Sequence, residues 1–249
     1  MKQLQAVVVI LLCLSCEMGH SQPASLPDVG SKIWIGRHLE MEEYLRTADC
    51  DRIEVFKPSY IARCTFKPGG PIYRMAWKAP GPNRGFHERY KTEIAAYELD
   101  KLLKMDMVPP TVARQLQGND GAAQLWVENI VDAKADVSPG EPYRTVWQNQ
   151  IVVMTMFDNL IGNRGRNRGN MLRDPAWNLI LIDYSRAFGT DPELAQKVYR
   201  VDDKFWAKIE SLTRNQLDAV LTPLLDERQI AAILERRDRM KAEIKSLRK

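Results

Sequence analysis

The chain has 249 residues, 45% hydrophobic and 27% charged, with a formal net charge of +4. That length suits one large domain or two lobes sharing a cleft, and the composition excludes wholesale disorder. The positive excess is local, since the last fifteen residues carry seven Lys or Arg against three acids, so the charge does not argue for a nucleic-acid partner.

Residues 1–21 read as a secretory signal peptide. Lys2 precedes an apolar run from Ala6 to Leu14 that is too short to span a bilayer comfortably, and Gly19 and Ser21 suit cleavage after Ser21. An uncleaved anchor and lipid attachment at Cys16 are the alternatives. No later segment is apolar enough to cross a membrane, and a membrane contact by the basic tail stays open. Export to an oxidising compartment leaves Cys50 and Cys64 as an even pair, expected as a disulfide, with two buried thiols as the alternative.

Residues 22–49 form a Pro-containing lead that includes a short polar segment. IEVFK, YIARCTF and IYRMAWK alternate and are rich in β-branched and aromatic residues, which predicts strands. KPGGP supplies the turn between the last two, and APGPNRG reads as a loop. ERYKTEIAAYELDKLLKM, residues 88–105, places Ile94, Ala95, Leu99, Leu102 and Leu103 at helical spacing, with Pro109 and Pro110 as its stop.

AAQLWVENI predicts a further strand and DAKADVSPGEP a loop. YRTVWQNQIVVMTMFDNLIG predicts a long helix, buried because its apolar residues are nearly continuous. A hairpin, NML–RDPAWN–LILID, and a mainly helical remainder complete the chain. The final helix aligns Ile230, Ile233, Met240, Ile244 and Leu247, with its basic residues expected on a solvated face. Strands with one helix first, then mostly helices, make an α+β chain of two lobes, residues 50–130 and 131–249, with the boundary near 127–141.

Four polar residues stand where chemistry could use them. Lys78 ends a strand and can reach into a cleft, and Glu93, on the next helix, can turn back toward it. In isolation the solvent-facing reading is favoured for each. Asp183 follows LILI, a buried strand, and a carboxylate there needs a partner, whether a metal ion or an arginine. Asn170 precedes the hairpin that delivers Asp183, which brings an amide oxygen and a carboxylate oxygen to one end of it. Hard oxygen ligands of this type suit Mg²⁺ or Mn²⁺.

The segments AWK, KTEIAAYELDKLLKMDMVPPTV, LWVENI, FDNLIGNRGRNRGNML and LILIDYSRAFG occur in an order that resembles the atypical kinase-fold group. That group includes the secreted Golgi casein kinases, the four-jointed kinases, HipA-type kinases and the phosphatidylinositol kinases. The resemblance covers roughly residues 50–190. It implies a bilobal protein-kinase-like fold, with a small β-rich N-lobe holding one key helix and a mainly helical C-lobe. It implies ATP with Mg²⁺ or Mn²⁺ as cofactors. Lys78 would contact the phosphates and Glu93 would position it. Residues 124–128, Trp126 and Val127 among them, would pass the adenine, and Asn170 and Asp183 would bind the metal. The acceptor, a protein, sugar or lipid hydroxyl, is not specified.

Two departures stand out. The group's central motif is similar to GN-x-DR-H/N-x-x-N, and here GNRGRNRGN puts Gly165 at the aspartate. No glycine occurs in residues 55–68, where a glycine-rich phosphate loop would run. Asp158 is the remaining acid near the loop and the candidate for a catalytic role, with a cap or ion-pair partner as its alternative. Arg164, Arg166 and Arg168 could contact phosphate or neutralise Asp158 and Asp183. Without interleaved aromatics they do not read as a nucleic-acid site. The expected function is an exported phosphotransferase of low or unusual activity. The alternative is a pseudokinase, a binding or scaffold module that keeps the fold.

Overall fold

Alternation from Ile61 to Phe66 buries Ala62, Cys64 and Phe66 and leaves their neighbours half-buried, the period of two that a one-sided sheet requires. In the computed structural model, residues 30–56, 61–80, 89–132 and 139–249 are described. The expected signal peptide, the tip of the turn at 57–60 and most of the loops at 81–88 and 133–138 lie outside them. Strands β1 (Cys50–Phe56), β2 (Ile61–Phe66), β3 (Arg74–Lys78), β4 (Thr111–Leu116) and β5 (Asn119–Leu125) form an antiparallel sheet in the order β1-β2-β3-β5-β4. A disulfide joins Cys50 to Cys64 across β1 and β2, as expected. The register sets Lys78 opposite Ile61 on one side and Ala122 on the other. A Cβ on Gly121 would lie 2.6 Å from the Lys78 carbonyl oxygen and from the Trp77 indole, so only glycine lets β5 approach the end of β3.

Two elements of this half were not expected. Helix α1 (His38–Thr47) falls in the lead, where the sequence reads as polar; its narrow stripe of Met41 and Leu45 joins Trp34 in the sheet's core. Strand β4 contains Arg114 and Gln115, which hide a strand whose Thr111, Val112 and Leu116 are buried. Pairing with β5, rather than alternation, makes it a strand.

Helix α2 (Arg89–Leu103) connects the halves. Ala95, Ala96, Tyr97, Leu99 and Leu103 pack into the larger, C-terminal core. Its end is not set by Pro109 and Pro110. Lys104 takes a left-handed conformation, and the Asp100 carboxylate accepts the N–H groups of Asp106, Met107 and Val108.

Helix α3 (Tyr143–Leu160) is buried only in its second half; Tyr143 and Val146 near its start are exposed, which corrects the expectation of a wholly buried helix. A second antiparallel sheet follows in the order β6 (Val131–Asp132), β7 (Met171–Arg173), β8 (Leu179–Leu181). Helices α4 (Asp203–Glu210), α5 (Arg214–Leu221) and α6 (Glu227–Leu247) begin with side-chain caps from Asp202, Thr213 and Asp226. Ile230, Ile233, Met240 and Ile244 are buried as predicted, while Leu247 is exposed. Arg236 departs from the solvated basic face. It is fully buried and donates to the carbonyls of Leu160, Gly189 and Asp191 at 2.7–2.9 Å. The result is the predicted α+β arrangement, β-rich first and helical second. No helix of the described residues is long and apolar enough to cross a membrane.

Candidate functional site

A cavity of about 480 Å³ lies where the two sheets face each other. Ile61, Ala76, Leu172 and Ile182 give it apolar walls, Gln124 to Val127 run along it, and Lys78, Asn170 and Asp183 bring polar groups to it. An apolar slot with a few convergent polar groups is the usual form of a small-molecule site.

Lys78 is held at the strand end by two carboxylates. Its Nζ donates to Glu93 Oε1 at 2.5 Å and to Asp183 Oδ1 at 3.3 Å. Glu93 is 1% exposed and also accepts the Tyr184 N–H on both oxygens, so α2, β3 and the segment after β8 meet on one carboxylate. Thr92 adds a hydroxyl bond to the Tyr184 carbonyl. Burial disfavours the Lys78 ammonium, but Glu93 and Asp183 outweigh it and hold its pKa above the ordinary lysine value. Burial would raise Asp183; Lys78 and the Ser185 hydroxyl outweigh it and hold the carboxyl below its ordinary range.

Asp183 adopts a left-handed backbone, φ +62°, uncommon for a non-glycine residue and frequent at functional sites. Asn170 ends a short 3₁₀ turn, Arg168–Asn170, and lines the same cavity. Its carbonyl accepts the Ile182 N–H, which ties the loop to the strand end carrying Asp183.

The two residues expected beside the adenine differ. Val127 is buried in the sheet's core and also edges the cavity. Trp126 is flanked by the guanidiniums of Arg63 and Arg74, at 5.5 and 5.3 Å from its ring, and its N–H bonds the Arg74 carbonyl. Gln124 donates to the Thr111 hydroxyl at 2.9 Å, so it is spent on the sheet interior.

Asp158 is not at the cavity. It is fully buried below the loop, and both oxygens are occupied. Arg166 donates Nε and Nη2 to it at 2.8 and 3.0 Å, and Asn163 donates its amide at 2.8 Å. A carboxylate so enclosed has no path to a substrate proton. This geometry favours the ion-pair alternative for Asp158 over a catalytic role. Arg166 continues to the carbonyls of Asn170 and Ile182, each at 2.9 Å, and stacks over Tyr184 at 4.8 Å. It therefore fastens the loop from inside. Arg164 points away, to Asp191.

Several contributors were not legible in the sequence. Asn163 accepts the Gly165 N–H and shapes the turn; Thr92 and Ser185 fix the Tyr184 carbonyl and the Asp183 carboxylate. Asn163 stands at the Asn of the GN-x-DR motif, while Thr92 and Ser185 were signalled only by their closeness to Glu93 and Asp183. Arg186 is the most telling. A Cβ on Gly165 would stand 3.2 Å from its Cδ.

No family model matches the chain, and no curated protein matches it by sequence. Its backbone does match solved structures. The crystal structure of the Golgi casein kinase with Mn/ADP bound superimposes with a TM-score of 0.62 at 15% identity, over 83% of this chain and 75% of that one. The structure of hydra Fam20 with sugar gives 0.62 at 16%, over 84% and 88%. The Helicobacter pylori proinflammatory kinase CtkA gives 0.52 at 12%, over 82% and 95%. The chain therefore has the bilobal, kinase-like fold of the atypical kinase group.

Proposed function

We propose that the protein is an exported kinase-like phosphotransferase of low or unusual activity, which binds ATP with Mg²⁺ or Mn²⁺ in the cavity between the sheets. The observation that carries this reading is the meeting of Lys78, Glu93 and Asp183 at one end of that cavity. Lys78, kept charged by its two carboxylates, would bind the phosphates. Asp183 and Asn170 would hold the metal, and Trp126 and Val127 would border the adenine.

Among the described residues no three His, Cys, Asp or Glu side chains form a metal cluster. An Asp–Asn pair nonetheless fits Mg²⁺, which keeps waters and takes its remaining ligands from phosphate oxygens. The metal's contribution, when bound, is to offset charge on the transferring phosphoryl group. The chain's own contribution is positioning. Glu93 fixes the ammonium, Ser185 orients the Asp183 carboxylate, and Arg166 with Asp158 holds the loop that carries Asn170. Since phosphoryl transfer is mainly positioning and charge stabilisation, loss of a base slows it without forbidding it. The signal-like residues 1–21 and the disulfide support the exported reading.

Gly165, with no side chain at the expected base, favours a second reading, a pseudokinase that binds nucleotide or a partner without turnover. Thermal shift with ATP, with and without Mg²⁺ or Mn²⁺, tests nucleotide binding without a known acceptor. A metal-dependent rise that Asp183→Ala removes is expected. No rise at millimolar ATP overturns the nucleotide site. With a rise in hand, release of labelled phosphoryl from ATP separates the two readings.

A further inference from the structure

Beside Gly165 the loop is cationic, at the position where the resembled motif holds an aspartate. A Cβ at Gly165 would stand 3.2 Å from Arg186 Cδ and 3.3 Å from Arg186 Cβ. The stem of Arg186 thus runs through the space into which a side chain at 165 would project. Its backbone is pinned on both sides: Tyr184 N–H bonds Glu93, Ala187 N–H bonds the Tyr184 carbonyl and Phe188 N–H bonds the Ile161 carbonyl. Its guanidinium is exposed and has no ion pair with the other described residues, whereas Arg164 and Arg166 are paired with Asp191 and Asp158. Among the described residues, two acids near the loop are already committed. Asp158 is enclosed, and Asp183 is paired with Lys78.

A hydroxyl acceptor must lose a proton, and among the described residues this loop offers no group to take it, so such transfer is slow. An acceptor that is already an oxyanion needs no base, but it must approach an anionic nucleotide, and a free guanidinium offsets that repulsion. Resting on the nucleotide site proposed above, we propose that the acceptor is a pre-ionised oxyanion, a phosphate monoester or a carboxylate, bound by Arg186. A lone pair on the acceptor oxygen forms the new bond to the γ-phosphorus. The bond from that phosphorus to the β–γ bridging oxygen breaks, and its electron pair leaves on ADP. No proton moves, and the product is a phosphoric anhydride or an acyl phosphate.

The test incubates the purified protein with Mg²⁺ and γ-labelled ATP against phosphoserine, acetate, serine and glycerol. Label is expected on phosphoserine or acetate about tenfold faster than on serine or glycerol. If the acceptor is the carboxylate, hydroxylamine converts the acyl group to a hydroxamate and releases the label as inorganic phosphate; if the acceptor is the phosphate, the label stays in place. Arg186→Gln is expected to raise the KM of that acceptor by about tenfold or more, the scale of one charge-assisted hydrogen bond, while keeping the wild-type melting temperature; Arg186→Lys recovers part of the loss. Equal or faster labelling of serine or glycerol overturns the proposal, as does an unchanged KM in Arg186→Gln. A metal-dependent ATP shift with no label on any acceptor overturns it while leaving the nucleotide site standing. Absence of that shift removes both.

Discussion

Arg166 closes a two-pronged ion pair on Asp158 beneath the loop, with its side chain 8% exposed and that of Asp158 fully buried. The Arg166 guanidinium would be disfavoured by burial, but Tyr184 and Asp158 more than compensate and hold its pKa above the ordinary value. Removing one member strands a buried charge. Arg166→Ala should cost about 3–5 kcal/mol in urea unfolding, and the double variant Arg166→Met/Asp158→Asn should cost less than the single one. A near-neutral Arg166→Ala would mean that this pair does not hold the loop.

Lys78→Ala should weaken metal-dependent ATP binding by about tenfold or more, because the cavity loses the cation that Glu93 fixes. Titration calorimetry reads this directly. Unchanged affinity would remove Lys78 from the phosphate site.

The Lys78–Asp183 contact has a pH signature. The folded Asp183 carboxyl titrates below its ordinary value of 3.8, so its stabilising contribution is fully present above that value and is lost as pH falls through the lower, folded one. Lys78 titrates above 10.5 when folded, so its contribution persists through neutrality and fades only beyond that pH. Without metal, the stability advantage of the wild type over Asp183→Asn should be level from about pH 5 to pH 9 and disappear in acid. An advantage that grows on acidification would contradict the pairing.

Gly165→Asp is tolerated by the fold if Arg186 and Asn163 give by a few tenths of an ångström. The new carboxylate would lie beside Arg186 at the loop surface, where it could accept a proton from a hydroxyl. Transfer to hydroxyl acceptors should rise by roughly 10²- to 10⁴-fold, within the range general-base help supplies. Labelling of serine measures it. A folded, ATP-binding variant as slow as the parent would show that more than the base is missing.

The disulfide closes a separation of 14 residues. Replacing both Cys50 and Cys64 by serine should lower stability by about 3 kcal/mol, seen as a drop in melting temperature that reductant reproduces in the wild type. Thiol titration after unfolding should find Cys50 and Cys64 reactive only once reductant is added.

Much of the fold was legible because it is written in local period. β1 to β3, α2, the β7–β8 hairpin and the buried stripe of α6 follow directly from spacing of apolar residues. The candidate ligands Lys78, Glu93, Asn170 and Asp183 were legible from their places at the ends of those elements. α1 and β4 were hidden, since each buries too few side chains to show a period and exists through packing on the sheet. Burial of a polar group was likewise invisible. Arg236 and Arg166 look like surface cations in sequence, and only distant carbonyls and Asp158 make their burial affordable. The sequence alone put Gly165 where the resembled motif carries an aspartate. The tertiary structure decided that Asp158 is enclosed by Arg166 and Asn163 and that the Arg186 stem lies beside Gly165, because both depend on distances between segments that no spacing along the chain encodes.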